Sequence, residues 1–154
     1  MQTIDQLVAF LDVDTDTMAA AELLSDLLAP RLDEIIDNFY DRVRRYDINV
    51  LVSDDVIPRL KEKQKQHWMA LFGTGFGADY CAGTRRIAIR HRDIGLDPAW
   101  YIAGYTHVKL ALIEVIIRSD FAPAAKGRLV KALEKYLAID MALALSAYDV
   151  VVLT

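Results

Sequence analysis

Residues Arg85 to Tyr105 read RRIAIRHRDIGLDPAWYIAGY, and this stretch decides the fold. His91 falls four residues after Ile87 and three before Ile94, so the three share one face of a helix. Arg86, Arg90 and Asp93 lie to its flanks. Gly95 then takes the position where helices close with a left-handed residue. Asp97 and Pro98 form an N-cap and first-turn pair that starts the next helix. That helix opens with Trp100, Tyr101 and Tyr105. The stretch is therefore two helices with a sharp turn between them, one bearing a histidine on an apolar face and the other a run of aromatics.

Working outward, helical periodicity continues in both directions. Thr3 with Gln6 forms a capping box for a short first helix. A second runs from about Thr17 to Leu28. Pro30 fits the first turn of a third, which runs to about Arg45, with its apolar stripe at Leu32, Ile35, Ile36, Phe39, Tyr40 and Val43. A fourth opens in the acidic region before Pro58 and closes at Gly73, its stripe formed by Ile57, Leu60, Gln64, His67, Trp68 and Leu71. GTGFG is a loop by composition. The fifth helix runs from about Ala78 to Ile94, and the sixth from about Pro98 to Arg118, roughly 30 Å at 1.5 Å per residue. The seventh runs from about Lys126 to Val151. Only VVVL, near the end, has β-like character. The expectation is an all-α fold of seven helices forming one domain over residues 1–154, since no linker or repeat divides the chain.

The bulk properties narrow the function classes. The 154 residues are 54% hydrophobic and carry a formal net charge of −4. That hydrophobic content is too high for a disordered chain, and the acidic balance argues against a nucleic-acid partner. The one cysteine, Cys81, allows no internal disulfide and suits a reducing cytoplasm. The N-terminus lacks the basic-then-apolar pattern of a signal peptide. The apolar tract YLAIDMALALSAYDVVVLT is interrupted by Asp140 and Asp149, which argues against a membrane span. No Gly-Lys-Ser/Thr follows the glycine-rich loop, so it is not a phosphate loop. There is no nucleophile with a base partner, no carboxylate pair and no zinc spacing.

From spacing alone, His91 is more simply a partly buried histidine with a hydrogen-bond partner than a ligand. A neutral imidazole on an apolar face also suits a soft metal or haem iron. Longer patterns bear on the choice. IAIRHRDIGLDPAWYIAGY resembles the proximal-histidine segment of the haem-binding globin-coupled sensors: a histidine, then IGL, a proline, WY and a second aromatic. IIDNFYDRV is similar to their distal helix with its pocket tyrosine, and RLKEKQKQHWMALFGTGF to the helix that follows. The similarity covers roughly Ile35 to Val108, and LAIDMALALSAY fits their last helix.

The resemblance implies a globin-like fold and a haem b pocket with His91 as the proximal iron ligand. It implies that the Tyr40 hydroxyl donates to bound dioxygen, where a donor in a dry site stabilises partial negative charge. Leu60 matches an apolar residue that gates ligand access. The family's second polar distal position falls on Lys63 when counted back from His91 without a gap. Threonine or serine is common there, so lysine is a departure, readable as a solvated charge, a propionate partner or a sixth ligand. One inserted residue would place Gln64 there instead, and Gln64 shares the apolar stripe with Leu60 and Trp68. Phe39, His67, Ile87, Ile94 and Tyr101 complete the expected pocket, with His67 near a propionate and Tyr101 against the proximal helix. Trp68 and Phe72 read as core, His107 as structural, and KEKQKQ as a solvated face.

Function follows from the same resemblance: a gas sensor binding O2, with CO and NO as further ligands. It is not itself an enzyme, and it signals to an output domain in cis or in trans. The resemblance also implies a homodimer through the last two long helices. The final helix carries Leu129, Val130, Leu133, Tyr136, Leu137, Met141, Leu143, Leu145 and Tyr148, more apolar surface than one core-facing stripe needs. Two other readings stay open: a dioxygenase- or peroxidase-like haem enzyme, and a haem-free globin-fold signalling module, against which His91 and Tyr40 both argue.

Overall fold

The computed structural model describes residues 4–46 and 52–148. In chain order the helices are α1 (Ile4–Phe10), α2 (Thr15–Leu28), a 3₁₀ turn (Ala29–Arg31), α3 (Leu32–Val43), α4 (Ile57–Thr74), α5 (Ala78–Asp93), α6 (Pro98–Ile117) and α7 (Pro123–Leu145). No strand occurs among the described residues. The all-α expectation is borne out, and the boundaries differ where local chemistry intervenes.

Helix α2 starts two residues earlier than expected because Asp14 caps it, its carboxylate accepting the Thr17 N–H at 2.9 Å. The expected single helix from Pro30 is split. The chain runs from α2 straight into the 3₁₀ turn holding Pro30, and α3 begins only at Leu32. Proline lacks the N–H that a continuous α-helix would need at that point. Helix α4 runs one residue past Gly73 and ends at Gly75, whose φ of 73° the glycine allows without strain. Helix α7 begins three residues early, with Pro123 in its first turn, and ends at Leu145. The expected Thr3 cap and the VVVL run lie outside the described residues.

The main core cluster draws on α2 to α7, with a smaller one of Ala88, Ala144 and Ala147 between α5 and the end of α7. Leu24, Leu28, Leu71, Leu112, Ile116, Leu129, Leu133 and Leu137 are nearly or wholly inaccessible. Each such side chain stabilises the fold by about 2 kcal/mol relative to exposure. Helix α7 packs along α2, α5 and α6, so it is the axis on which the other helices rest. The α3 stripe is buried as its spacing predicts, apart from Phe39, which is half-buried. Gly104 of α6 lets that ring approach, since a Cβ there would lie 3.3 Å from Phe39 Cε2.

Helix α6 is largely apolar, with Lys109 and Glu114 its charged residues. It buries Tyr105, Val108, Leu112 and Ile116 but leaves Leu110 59% and Ile117 54% exposed. Its length and composition alone would allow a membrane span. In the fold its inner face packs on α2, α3 and α7. On α7, Val130, Met141, Leu143 and Leu145 remain half-exposed.

Candidate functional site

His91 stands in the last turn of α5. Its Nδ1 lies 2.8 Å from the Ile87 carbonyl oxygen. A carbonyl only accepts, so Nδ1 carries the proton and donates it. Nε2 is left with its lone pair and has no protein partner among the described residues. Burial pushes the imidazole pKa down, which favours the neutral form.

The turn beyond His91 is held firmly. The Gly95 N–H donates to the Arg92 carbonyl and the Leu96 N–H to the His91 carbonyl, each at 3.0 Å. This is the Schellman pattern, and the φ of 83° at Gly95 is what it requires. The Asp97 carboxylate then accepts the Ala99 N–H at 2.8 Å to start α6. Tyr101, in the first turn of α6, meets the His91 ring edge-on at 5.4 Å. Ile87 is half-buried, and Ile94 is 48% exposed at the helix end.

Tyr40 projects inward from α3 and is 7% exposed. Burial is the larger influence and raises its pKa to about 12, while the Gln64 side chain acts in the opposite direction, so the hydroxyl keeps its proton at neutral pH. Phe39 packs edge-on to Tyr40 at 5.1 Å. Gln64 Oε1 accepts from Trp68 Nε1 at 3.4 Å, which turns the amide inward on α4. Leu60, one turn earlier, is half-buried against the core.

Lys63 and His67, the other polar residues of α4 expected near the pocket, have different surroundings. Lys63 is exposed, one position off the inward stripe, so its ammonium stays in solvent; the polar side chain that reaches Tyr40 is that of Gln64. His67 is half-buried. Its Nε2 lies 2.9 and 3.1 Å from the two carboxylate oxygens of Asp140 on α7. In the KEKQKQ run, Lys61 pairs with Asp37 at 2.9 Å and Lys65 with Asp33 at 3.0 Å, so that face leans on α3.

Asp140 is the residue that the sequence reading passed over. It is 1% exposed and also accepts from the Tyr105 hydroxyl at 2.7 Å and from the Tyr80 hydroxyl. Its signal was present: a lone carboxylate in LAIDMALAL, in register with Leu133 and Leu137 on the buried face of the helix. Trp68 and Phe72 are core residues, as read. His107 is half-buried against Phe39, with ring centroids 6.3 Å apart.

These side chains form a continuous line between the two candidate sites. Tyr40 meets Gln64, Gln64 meets Trp68, and Trp68 packs on Tyr105 at 5.5 Å. Tyr105 packs on Tyr101 at 6.1 Å, and Tyr101 meets His91. The arrangement provides a neutral imidazole with one free nitrogen and, connected to it through packed rings, a protonated phenol held by an amide. No cluster of three His, Cys, Asp or Glu residues suited to a bare metal ion occurs among the described residues.

The family model for Protoglobin matches residues 1–150. The heme-based aerotactic transducer HemAT of Halobacterium salinarum is 28% identical over 153 residues, covering 92% of this chain but 31% of the transducer. The chain thus spans about a third of the length of that relative. The globin domain of the Geobacter sulfurreducens globin-coupled sensor superposes with a TM-score of 0.83 at 23% identity, over 97% of this chain and 99% of that one. The ferric globin domain of E. coli DosC superposes with a TM-score of 0.77 at 20% identity, over 94% and 98% of the two chains. The two structures show the globin fold.

Proposed function

This chain belongs to the protoglobin family, and we propose that it is a haem-based gas sensor domain whose ligand is O2. One observation carries the reading: His91 has committed Nδ1 to the Ile87 carbonyl, leaving Nε2 as a free, neutral donor on an apolar face. A single protein ligand suits a porphyrin iron, which brings its other donors with it. Second-side hydrogen bonding of the histidine is also how such ligands are oriented.

His91 would hold haem b through Nε2, with Ile87 and Ile94 supplying apolar surface a turn to either side. When bound, the haem supplies a ferrous iron that takes up a diatomic gas. The Tyr40 hydroxyl is the donor to a gas carrying partial negative charge, and Gln64 orients it. Leu60 keeps the approach apolar. O2 gains more from such a donor than CO does, and NO remains a further ligand.

Tyr101, edge-on to His91, carries a displacement of the imidazole into α6. The exposed Leu110 and Ile117 of α6, with the half-exposed face of α7, favour a homodimer through these two helices. A change in their packing would convey gas binding to an output domain, in cis or in trans, as a two-state shift. The aerotactic transducer, of which this chain matches 31%, has room for such a domain. The half-buried thiol of Cys81 fits a cytoplasmic setting.

Absorption spectra test the reading: the protein as isolated, then reduced without oxygen, then exposed to air. A five-coordinate ferrous spectrum that changes on O2 addition is expected. Failure to take up haem after cofactor-supplied expression would leave the haem-free signalling module as the better reading.

A further inference from the structure

Four helices meet at one buried carboxylate. Asp140, on the inner face of α7, accepts from His67 of α4, Tyr80 of α5 and Tyr105 of α6. A buried carboxylate is costly unless its lone pairs are used. Here Oδ1 takes His67 and Tyr80, while Oδ2 takes Tyr105 and the second His67 contact. The same donors stand on the helices that carry the site. His67 follows Gln64 by three residues on α4. Tyr80 lies in the first turn of α5, whose far end bears His91. Tyr105 is one turn beyond Tyr101, the ring against His91.

Helix α5 is bound to α7 further along as well. Ala88 is fully buried against Ala144 and Ala147, and Arg92 Nη1 donates to the Ala147 carbonyl at 3.0 Å. Apolar contacts between helices allow small sliding, whereas hydrogen bonds to a charged group are short and directional. The Asp140 knot therefore defines the register of α4, α5 and α6 on α7.

We propose that Asp140 is a positioning residue for the gas site, holding the helices of Gln64 and His91 at a set distance and passing displacement of His91, through Tyr101 and Tyr105, to α7. The inference rests on the gas-binding reading and adds its route to the helix expected to signal. The polar partners of Asp140 are His67, Tyr80 and Tyr105. Asp140 acts through Tyr105 on the proximal side and through His67 on the distal side.

The test compares the haem-loaded chain with its Asp140→Asn, Tyr105→Phe and Tyr136→Phe variants. The last removes a hydroxyl outside the knot while keeping a buried ring, since Tyr136 packs on Phe72 and Phe76. Resonance Raman of the ferrous protein reads the iron–histidine stretching frequency, and stopped-flow mixing reads O2 dissociation. Asp140→Asn and Tyr105→Phe are expected to move the frequency and to change the dissociation rate about threefold or more, the size of one hydrogen bond. Tyr136→Phe is expected to change neither. If Asp140→Asn does not fold, Tyr105→Phe decides, because it keeps the ring. Unchanged frequency and rate in the knot variants, with only a lower Tm, would show a purely structural knot and overturn the proposal. A wild-type chain that takes up no haem overturns the gas-binding reading and this inference together. A haem-loaded wild type with silent variants overturns this inference alone.

Discussion

Replacing Tyr40 by Phe should separate O2 from CO. The substitution removes one hydroxyl and leaves the ring, so the packing against Phe39 stays. Tyr40 is 7% exposed, and its pKa of about 12 keeps the proton in place at neutral pH. The hydroxyl is therefore a protonated donor on a buried side chain. A hydrogen bond to a partial charge in such a place is worth about 1.5 kcal/mol, close to a tenfold factor in rate. Tyr40→Phe should raise the O2 dissociation rate about tenfold. CO carries much less negative charge, and its dissociation rate should move less than about twofold. Laser photolysis for CO and stopped-flow mixing for O2 measure both on one sample. Gln64→Leu should move O2 in the same direction by a smaller factor, because it loosens the hydroxyl without removing it. Equal changes for both gases would mean that Tyr40 fills space rather than donates, and no change for either would remove it from the site.

Other outcomes follow from the same geometry. His91→Ala should abolish stable haem uptake while leaving the helical circular dichroism in place; a variant that still gives a normal ferrous spectrum would point to another ligand. Gly95→Ala forces an L-residue to a φ of 83° and should cost about 1 kcal/mol, lowering Tm by about 3 °C in a thermal melt. Burial lowers the His91 pKa from its ordinary 6.5, so the unfolded chain binds the proton more readily. This group's stabilising effect is present above pH 6.5 and is lost as pH falls through the depressed folded value, and haem retention followed by the Soret band should fall over that range. Tyr40 titrates with the opposite sign: its pKa is raised from 10.0 to about 12, so its effect is present below pH 10 and is lost as pH rises toward 12. Alkaline unfolding followed by circular dichroism should therefore begin above pH 10. Leu110→Lys with Ile117→Lys should give a monomer by light scattering under conditions where the parent chain is a dimer.

Much of the fold was legible because it is written in short-range chemistry. Helix α3 has its apolar residues at one-face offsets, and they are buried. The break after His91 follows from Gly95, Asp97 and Pro98, each of which acts through its own backbone or a neighbour two or three residues away. The sequence is ambiguous where two local signals compete. Pro30 suits the first turn of a helix and equally a 3₁₀ turn, and the direct run-on from α2 chose the latter. Lys63 and Gln64 are adjacent in sequence, and a one-residue ambiguity in counting separates solvent from Tyr40. The stripe with Leu60 and Trp68 favoured Gln64, and packing against α3 placed it inward.

The sequence by itself determined the all-α architecture, the turn that follows His91, and the resemblance to globin-coupled sensors running from Ile35 to Val108. The first two rest on periodicity and capping, which operate over a few residues, and the third on a resemblance of motifs. Only the tertiary structure decided what lies between the ends of that pattern. Asp140 is 73 residues from His67 and 60 from Tyr80 along the chain, and no local rule connects them. His67 looked like a pocket-edge residue because its helix face was known but its opposite number was not. A buried carboxylate needs partners to offset its lost hydration, and which helices supply them is settled only when α4, α5 and α6 have packed on α7.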